Sequence, residues 1–212
     1  MAPPHSAGPP LAVLFDMDGT LLDTERLWWE AAADILGKPP DPARYAGATA
    51  EGYLELLAAD LGRPVHHAHF DAALADRHAR TGIRLMPGVQ SVLDRLTAAG
   101  IPLALVTSSD KAAVNTALPL LGPDRFQAIV SADDVQHHKP HPQPYLLAAQ
   151  RLGVQPPHCV AVEDSHRGVT AAQAAGCRVV AVPNLAPIPP APDIVVLSSL
   201  LDWTEAIGWP TR

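Results

Sequence analysis

The chain is 212 residues long, 48% apolar and 17% charged, enough to bury a full core as one domain or as one domain carrying an insertion. Its 15 Lys and Arg stand against 22 Asp and Glu, a formal charge of −7. That balance disfavours nucleic acid and anionic membranes as partners, and it leaves any anionic substrate dependent on local cations. Residues 1–10 carry no basic stretch, and the apolar run that follows is only Leu11-Ala12-Val13-Leu14-Phe15, so neither a signal peptide nor a membrane span is expected. Order is expected to begin near Leu11 after a flexible N-terminus. Cys159 and Cys177 both sit in apolar runs and read as small buried hydrophobes in a reducing, cytoplasmic setting.

In chain order, the run ending at Asp16 and Gly19 has the form of a strand buried on both faces. Residues 25–86 then break the strand rhythm: 27–37, 51–62 and 67–82 read as three helices, with turns at Gly37-Lys38-Pro39-Pro40 and at Gly47. Val89, Val92, Leu93 and Leu96 share a helical face between Pro87-Gly88 and Gly100. A strand at 103–106 precedes Thr107-Ser108-Ser109-Asp110, and helices follow over about 111–121 and 144–152. A strand at 159–162 leads into Glu163-Asp164, a helix spans 166–175, and a last strand covers 179–182. Strands alternating with helices predict an α/β, doubly wound (Rossmann-like) parallel sheet with an inserted all-α domain. Its boundaries are 11–24 and 87–212 for the discontinuous core and 25–86 for the insertion.

Each apolar strand stops at a polar cluster, and open α/β sheets bind ligands outside the carboxyl ends of their strands. Asp16 with Asp18, Thr107 with Ser108, and Glu163 with Asp164 are thereby expected to converge on one crevice. Carboxylates gathered in this way suit a hard cation such as Mg²⁺, which shares its coordination shell with substrate phosphate oxygens. A carboxylate can attack phosphorus if its repulsion from the phosphate is screened. Lys139 in His137-His138-Lys139-Pro140-His141-Pro142 offers one screening cation, on a loop stiffened by the flanking prolines.

Asp16-Met17-Asp18-Gly19-Thr20-Leu21-Leu22-Asp23-Thr24-Glu25 resembles the first motif of the haloacid dehalogenase superfamily. Thr107 resembles the second motif of that family, Lys139-Pro140 the third, and Val162-Glu163-Asp164-Ser165 with Gly168 the acidic fourth. The likeness runs from about residue 11 to 184, with the helical insertion where one subgroup carries an α-helical cap. It implies a magnesium-dependent phosphatase acting on small phosphate monoesters through an aspartyl-phosphate. Asp16 would be the nucleophile and Asp18 the general acid and base, while Thr107, Ser108 and Lys139 would bind the phosphoryl group. Asp16, the main chain of Asp18, Asp164 and Glu163 would hold Mg²⁺. The expected partner is a small phosphate ester, and the expected assembly a monomer or weak homodimer.

Each residue has a structural alternative: Asp16-Met17-Asp18-Gly19 could be a solvated turn, Thr107 a helix cap or turn residue, Glu163-Asp164 a cap and dipole compensation that is compatible with metal binding, and Lys139 a surface lysine. The histidines at 66, 67, 69, 137, 138 and 141 lack the spacing of a zinc site. A mutase of the same superfamily, resembling β-phosphoglucomutase, would need a cap histidine and a cap arginine, and Trp28 and Ala50 stand at those places. Asp18 and Asp164 argue against a true dehalogenase, and the first-strand position of Asp16 against a phospho-receiver module. Gln143 and Leu27-Trp28 resemble the 2-deoxyglucose-6-phosphate and hexitol phosphatase group, which makes hexose or hexitol phosphate the leading substrate, with phosphoglycolate as the alternative.

Overall fold

The computed structural model describes residues 11–191 and 193–203. The expectation for residues 1–10 lies outside the described residues. Six parallel strands form one sheet: β1 (Ala12–Phe15), β2 (Leu103–Val106), β3 (Phe126–Val130), β4 (Cys159–Glu163), β5 (Arg178–Ala181) and β6 (Ile194–Val196), in the order β3-β2-β1-β4-β5-β6. From β1 the chain winds outward through β2 and β3, then returns to the other side of β1 at β4. The switch point of a doubly wound sheet, where ligands bind, therefore falls between β1 and β4.

Alternate side chains of each strand enter opposite layers because the pleat has a period of two. Val13, Phe15, Leu103, Leu105, Val160 and Val162 face one layer with Val89, Val92, Leu93 and Leu96 of α5 (Val89–Ala98) and with Val114 and Leu121 of α6 (Lys111–Leu121). Leu14, Ala104, Val106 and Ala161 face the other, against Tyr145, Ala148 and Ala149 of α7 (Gln143–Leu152) and Val169 and Ala172 of α8 (His166–Ala174). Burial on both faces is why four of the strands read as unbroken apolar runs.

The two strands without such a run, β3 and β6, are the sheet edges. In β3 Gln127 is exposed, and its side-chain oxygen accepts from the Leu103 N–H at 2.8 Å. That alternation hides an edge strand from a search for continuous apolar stretches. β6 has three residues and follows a proline-rich stretch.

Between β1 and α5 lie α1 (Glu25–Leu36), α2 (Pro42–Tyr45), α3 (Ala50–Leu61) and α4 (His67–Thr81), packed around Ala31, Ala32, Tyr45, Tyr53, Leu57 and Phe70. The single turn α2 adds to the three predicted helices; Asp41 caps it by accepting from the Ala43 N–H. In α4 Phe70 is the fully buried residue, while Arg77 pairs with Glu30 and Asp34 across to α1. Partly exposed ion pairs contribute about 0–1 kcal/mol each and a buried Phe about 1.5–3, so Phe70 anchors α4 more than the charges do. No helix among the described residues is long and apolar enough to cross a membrane.

Candidate active site

Parallel register brings the polar ends together. Phe15 lies opposite Leu105 of β2 and Val162 of β4, so the residues that follow these strands emerge side by side. Asp16, Thr107, Glu163 and Asp164 are all buried there, as is Lys139, which enters from the loop before α7. Lys139 is only 4% exposed. Its ammonium donates to Asp16 Oδ1 at 2.7 Å, Glu163 Oε1 at 2.6 Å and the Val106 carbonyl at 2.9 Å, which uses all three of its protons. It is thus a buried charge clamp rather than a surface lysine.

Asp18 is held by three hydroxyls: Thr24 Oγ1 donates to its Oδ1 at 2.6 Å, and Ser109 Oγ and Thr107 Oγ1 donate to its Oδ2 at 2.7 and 3.1 Å. Thr24 stands at the N-cap of α1 yet makes no capping bond: its backbone is right-handed helical rather than extended, and its hydroxyl is turned to Asp18. A local rule broken in this way is common where a site takes a side chain from the scaffold. The capping alternatives for the other residues also fall away. Asp110 caps α6 and Ser165 caps α8, so Thr107 and Asp164 cap neither helix; Thr107 does serve the turn after β2, its Oγ1 accepting from the Ser109 N–H at 2.9 Å. Ser108 lines the cavity, with its hydroxyl 3.5 Å from the Gly47 carbonyl.

Several contributors escaped the sequence reading. Glu25, 4% exposed at the start of α1, accepts from the Gly47 N–H at 2.9 Å. Ser109 holds Asp18, and Tyr145 donates its phenol to Glu163 Oε1. The adjacency of Ser109 to Thr107 and the place of Glu25 within the first motif were the available signals; Tyr145, on a helix distant in sequence from Glu163, offered none. Trp28 packs on Tyr53 and Phe70 while also lining the cavity, whereas Trp29 donates to the Pro40 carbonyl. The histidines 66, 67, 69, 137, 138 and 141 are exposed, and both cysteines are buried and free.

The electrostatics are those of too many acids around one base. Burial pushes the Asp16 carboxyl up to about 7, with Glu163 and Asp18 adding to the rise and Lys139 opposing it. Burial lifts Glu25 to about 8 against the pull of the Gly47 N–H, and lifts Asp164 well above the usual carboxylate range with help from Asp16. Burial works against the Lys139 charge, but Asp16 and Glu163 outweigh it and hold the ammonium above its ordinary value.

This excess fits a metal cation. Asp16 Oδ2 and Asp164 Oδ2 are buried with no hydrogen-bond partner. One oxygen from each of Asp16, Glu163 and Asp164 lies within 4.8 Å of the others. Gly19, at φ +83°, packs so closely that a Cβ there would overlap Asp164 Oδ2. An all-oxygen set of this kind suits a hard divalent ion. Glu163 has Oε1 committed to Lys139 and Tyr145, so Asp16 and Asp164 are the better direct donors.

The sequence profile of the haloacid dehalogenase-like hydrolases matches residues 13–182, a span that runs from β1 through all of these site residues. The chain belongs to that family. This hydrolase is 37% identical to a putative phosphatase, YhcW, of Bacillus subtilis over 183 residues, which cover 82% of this chain and 83% of the relative. It is 35% identical to hexitol phosphatase A of Escherichia coli over 184 residues, 80% of this chain and 81% of that one. Its fold superposes on CbbY of Rhodobacter sphaeroides in complex with phosphate with a TM-score of 0.73, at 26% identity, over 92% of this hydrolase and 96% of that chain.

Proposed function

We propose that this hydrolase is a magnesium-dependent phosphatase that cleaves phosphate monoesters of neutral, polyhydroxylated alcohols, hexose or hexitol phosphates foremost, in a reducing cytoplasm. The observation that carries the reading is Asp16 itself: a buried carboxylate at the switch point, one oxygen on Lys139, the other unpartnered and beside Asp18 and Asp164. Residues 11–24 and 87–212 act as the catalytic core, and 25–86 as a cap over it.

In this reading an oxygen of Asp16 attacks phosphorus while protonated Asp18 gives its proton to the leaving alkoxide, so an alcohol departs and an aspartyl-phosphate forms. Asp18, now a carboxylate, takes a proton from the water that attacks the phosphorus, releasing phosphate and restoring both groups. Ser108 supplies donors to the phosphoryl oxygens, and Thr107 does so by turning its hydroxyl from Asp18 to the phosphate, while Ser109 goes on holding Asp18. Lys139 keeps Asp16 and Glu163 neutralised, and it reaches a phosphate oxygen by exchanging one of its present acceptors. Mg²⁺ bound by Asp16, Asp164 and the Asp18 carbonyl, with Glu163 beside it, would supply charge neutralisation for the transferring group.

The raised carboxyls give a test of the metal assignment. Asp16 and Glu25 hold protons in the folded chain up to about pH 7 and 8 that the unfolded chain releases near 3.8 and 4.5. Stability of the metal-free protein therefore falls as pH rises between those limits. A bound cation offsets the loss, by about 2.7 kcal/mol at a hundredfold excess over its Kd. Thermal melts are expected to rise with Mg²⁺, and to rise more at pH 8 than at pH 5.5. An absent or pH-independent shift would remove the cation from this cluster.

The cap side of the cavity supports the substrate class. Glu25, Trp28, Gly47, Ala48 and Ala50 line it, an aromatic face and a hydrogen-bonding carboxyl with no cation among them. That chemistry suits sugar hydroxyls and offers no counter-charge to a leaving group bearing its own carboxylate or second phosphate, as phosphoglycolate or a mutase substrate would. The cavity holds about 20 Å³, room for little more than a water, so a sugar enters only if Gly47 draws away from Ser108 and Ser165. Phosphate release from a panel of hexose, hexitol and glycolate phosphates, with Mg²⁺ or EDTA, is expected to favour the neutral polyols by about tenfold or more. A preference for phosphoglycolate would overturn the substrate class, and silence toward every ester the activity.

A further inference from the structure

Lys139 has no spare donor, so its usefulness depends on where its loop puts it. The loop runs from Val135 to α7 and is closed by side chains rather than by sheet or helix bonds. The side-chain oxygen of Gln143 reaches back from the first residue of α7 and accepts from two backbone N–H groups, Gln136 at 3.2 Å and His137 at 2.8 Å. The Gln143 N–H in turn donates to His141 Nδ1 at 3.1 Å, and the His141 N–H donates to the His138 carbonyl at 2.9 Å. Lys139 stands at the apex of this closed ring, and the residues on either side of it, His138 and Pro140, are exposed. Val135 packs against the core where the loop begins; between it and α7 the loop backbone is tied by the His141–His138 bond and by the Gln143 oxygen, which alone joins residues 136 and 137 to the helix.

We propose that Gln143 is a positioning residue for Lys139: its side-chain carbonyl fixes the start of the Lys139 loop to the helix that ends it, and so sets the ammonium between Asp16 and Glu163. The proposal rests on the phosphatase reading for its kinetic consequence, and on geometry alone for its structural one. A charged group displaced by about 1 Å at a reacting centre can cost up to a hundredfold in rate, while a half-exposed polar tie contributes little to global stability. Gln143 therefore acts on kcat, because Lys139 serves the reacting carboxylate, and leaves KM nearly unchanged, because the cap side of the cavity is untouched.

The experiment compares wild type with Gln143→Ala, Gln143→Asn and Gln143→Glu by steady-state kinetics, thermal melting and amide hydrogen exchange of residues 136–139. Gln143→Ala is expected to lower kcat about tenfold with KM within about twofold, and to speed exchange of the Gln136 and His137 amides at least about tenfold with little change in Tm. Asn, one methylene short, should behave like Ala. Glu keeps an acceptor oxygen at the same reach and should return both kcat and exchange to near wild type. Unchanged exchange in Gln143→Ala overturns the proposal whether or not the protein turns over. So does a loss confined to KM, or a failure of Glu to restore kcat. If wild type hydrolyses no ester, the phosphatase reading falls, while the exchange series still decides whether Gln143 holds the loop.

Discussion

Replacing Asp16 by Asn should abolish phosphate release, by about a thousandfold or more, in a protein that still folds. The amide is nearly isosteric and its oxygen can still accept from Lys139, so the clamp at 2.7 Å persists in form. On the proposed reading what disappears is the nucleophile, since an amide oxygen does not form a stable acyl-phosphate. Stability should hold or improve slightly in the absence of metal, because burial already pushes the native carboxyl up to about 7, and the substitution removes one negative charge from a site with too many. Single-turnover phosphate release and urea denaturation together check this. Residual activity near that of wild type would take Asp16 out of the nucleophile role.

Lys139→Met should be damaging in a different way. The apolar stem is kept, one atom short of the ammonium, but Asp16 and Glu163 lose the charge that faces them at 2.7 and 2.6 Å. Breaking a buried pair by removing one partner costs about 3–5 kcal/mol. The sign of the pH dependence follows from Asp16: Lys139 now pulls its carboxyl down, so without it Asp16 titrates still higher in the folded state. The folded protein then holds protons that the unfolded chain gives up above about pH 4, and stability is lost progressively as pH rises from there through the neutral range. Denaturation midpoints should lie close to wild type at pH 5 and well below it at pH 8, with phosphate release lost at both. Equal midpoints at pH 8 would mean that the carboxylates are neutralised by something other than Lys139.

The two substitutions separate two kinds of dependence on the same contact. On the proposed reading, loss of the Asp16 carboxylate should remove the chemistry and spare the fold, whereas loss of Lys139 should damage both, because one cation serves a cluster of acids. A bound cation would soften the second effect and leave the first unchanged.

The sequence by itself determined the α/β class, four of the six strands, the helical insertion and the polar residues at the strand ends. It could do so because a strand buried on both faces must be apolar along its whole length, and because parallel strands deliver whatever follows them to one edge. It missed β3 and β6, whose edge positions relax that requirement, and α2, a single turn with no periodicity to read. Tertiary structure alone decided how the site is wired. Tyr145 meets Glu163, Glu25 meets Gly47, and Ser109 meets Asp18 through contacts between separate segments that leave no local pattern, and even Thr24, six residues from Asp18, reaches it only because the chain turns back between them. Whether Lys139 is a surface charge or a buried clamp was likewise settled by packing, since the same residue on the same proline-stiffened loop reads identically in either place. Residue type carries the chemistry, but desolvation and partner geometry set its protonation and reach, and both arise only when the chain closes on itself.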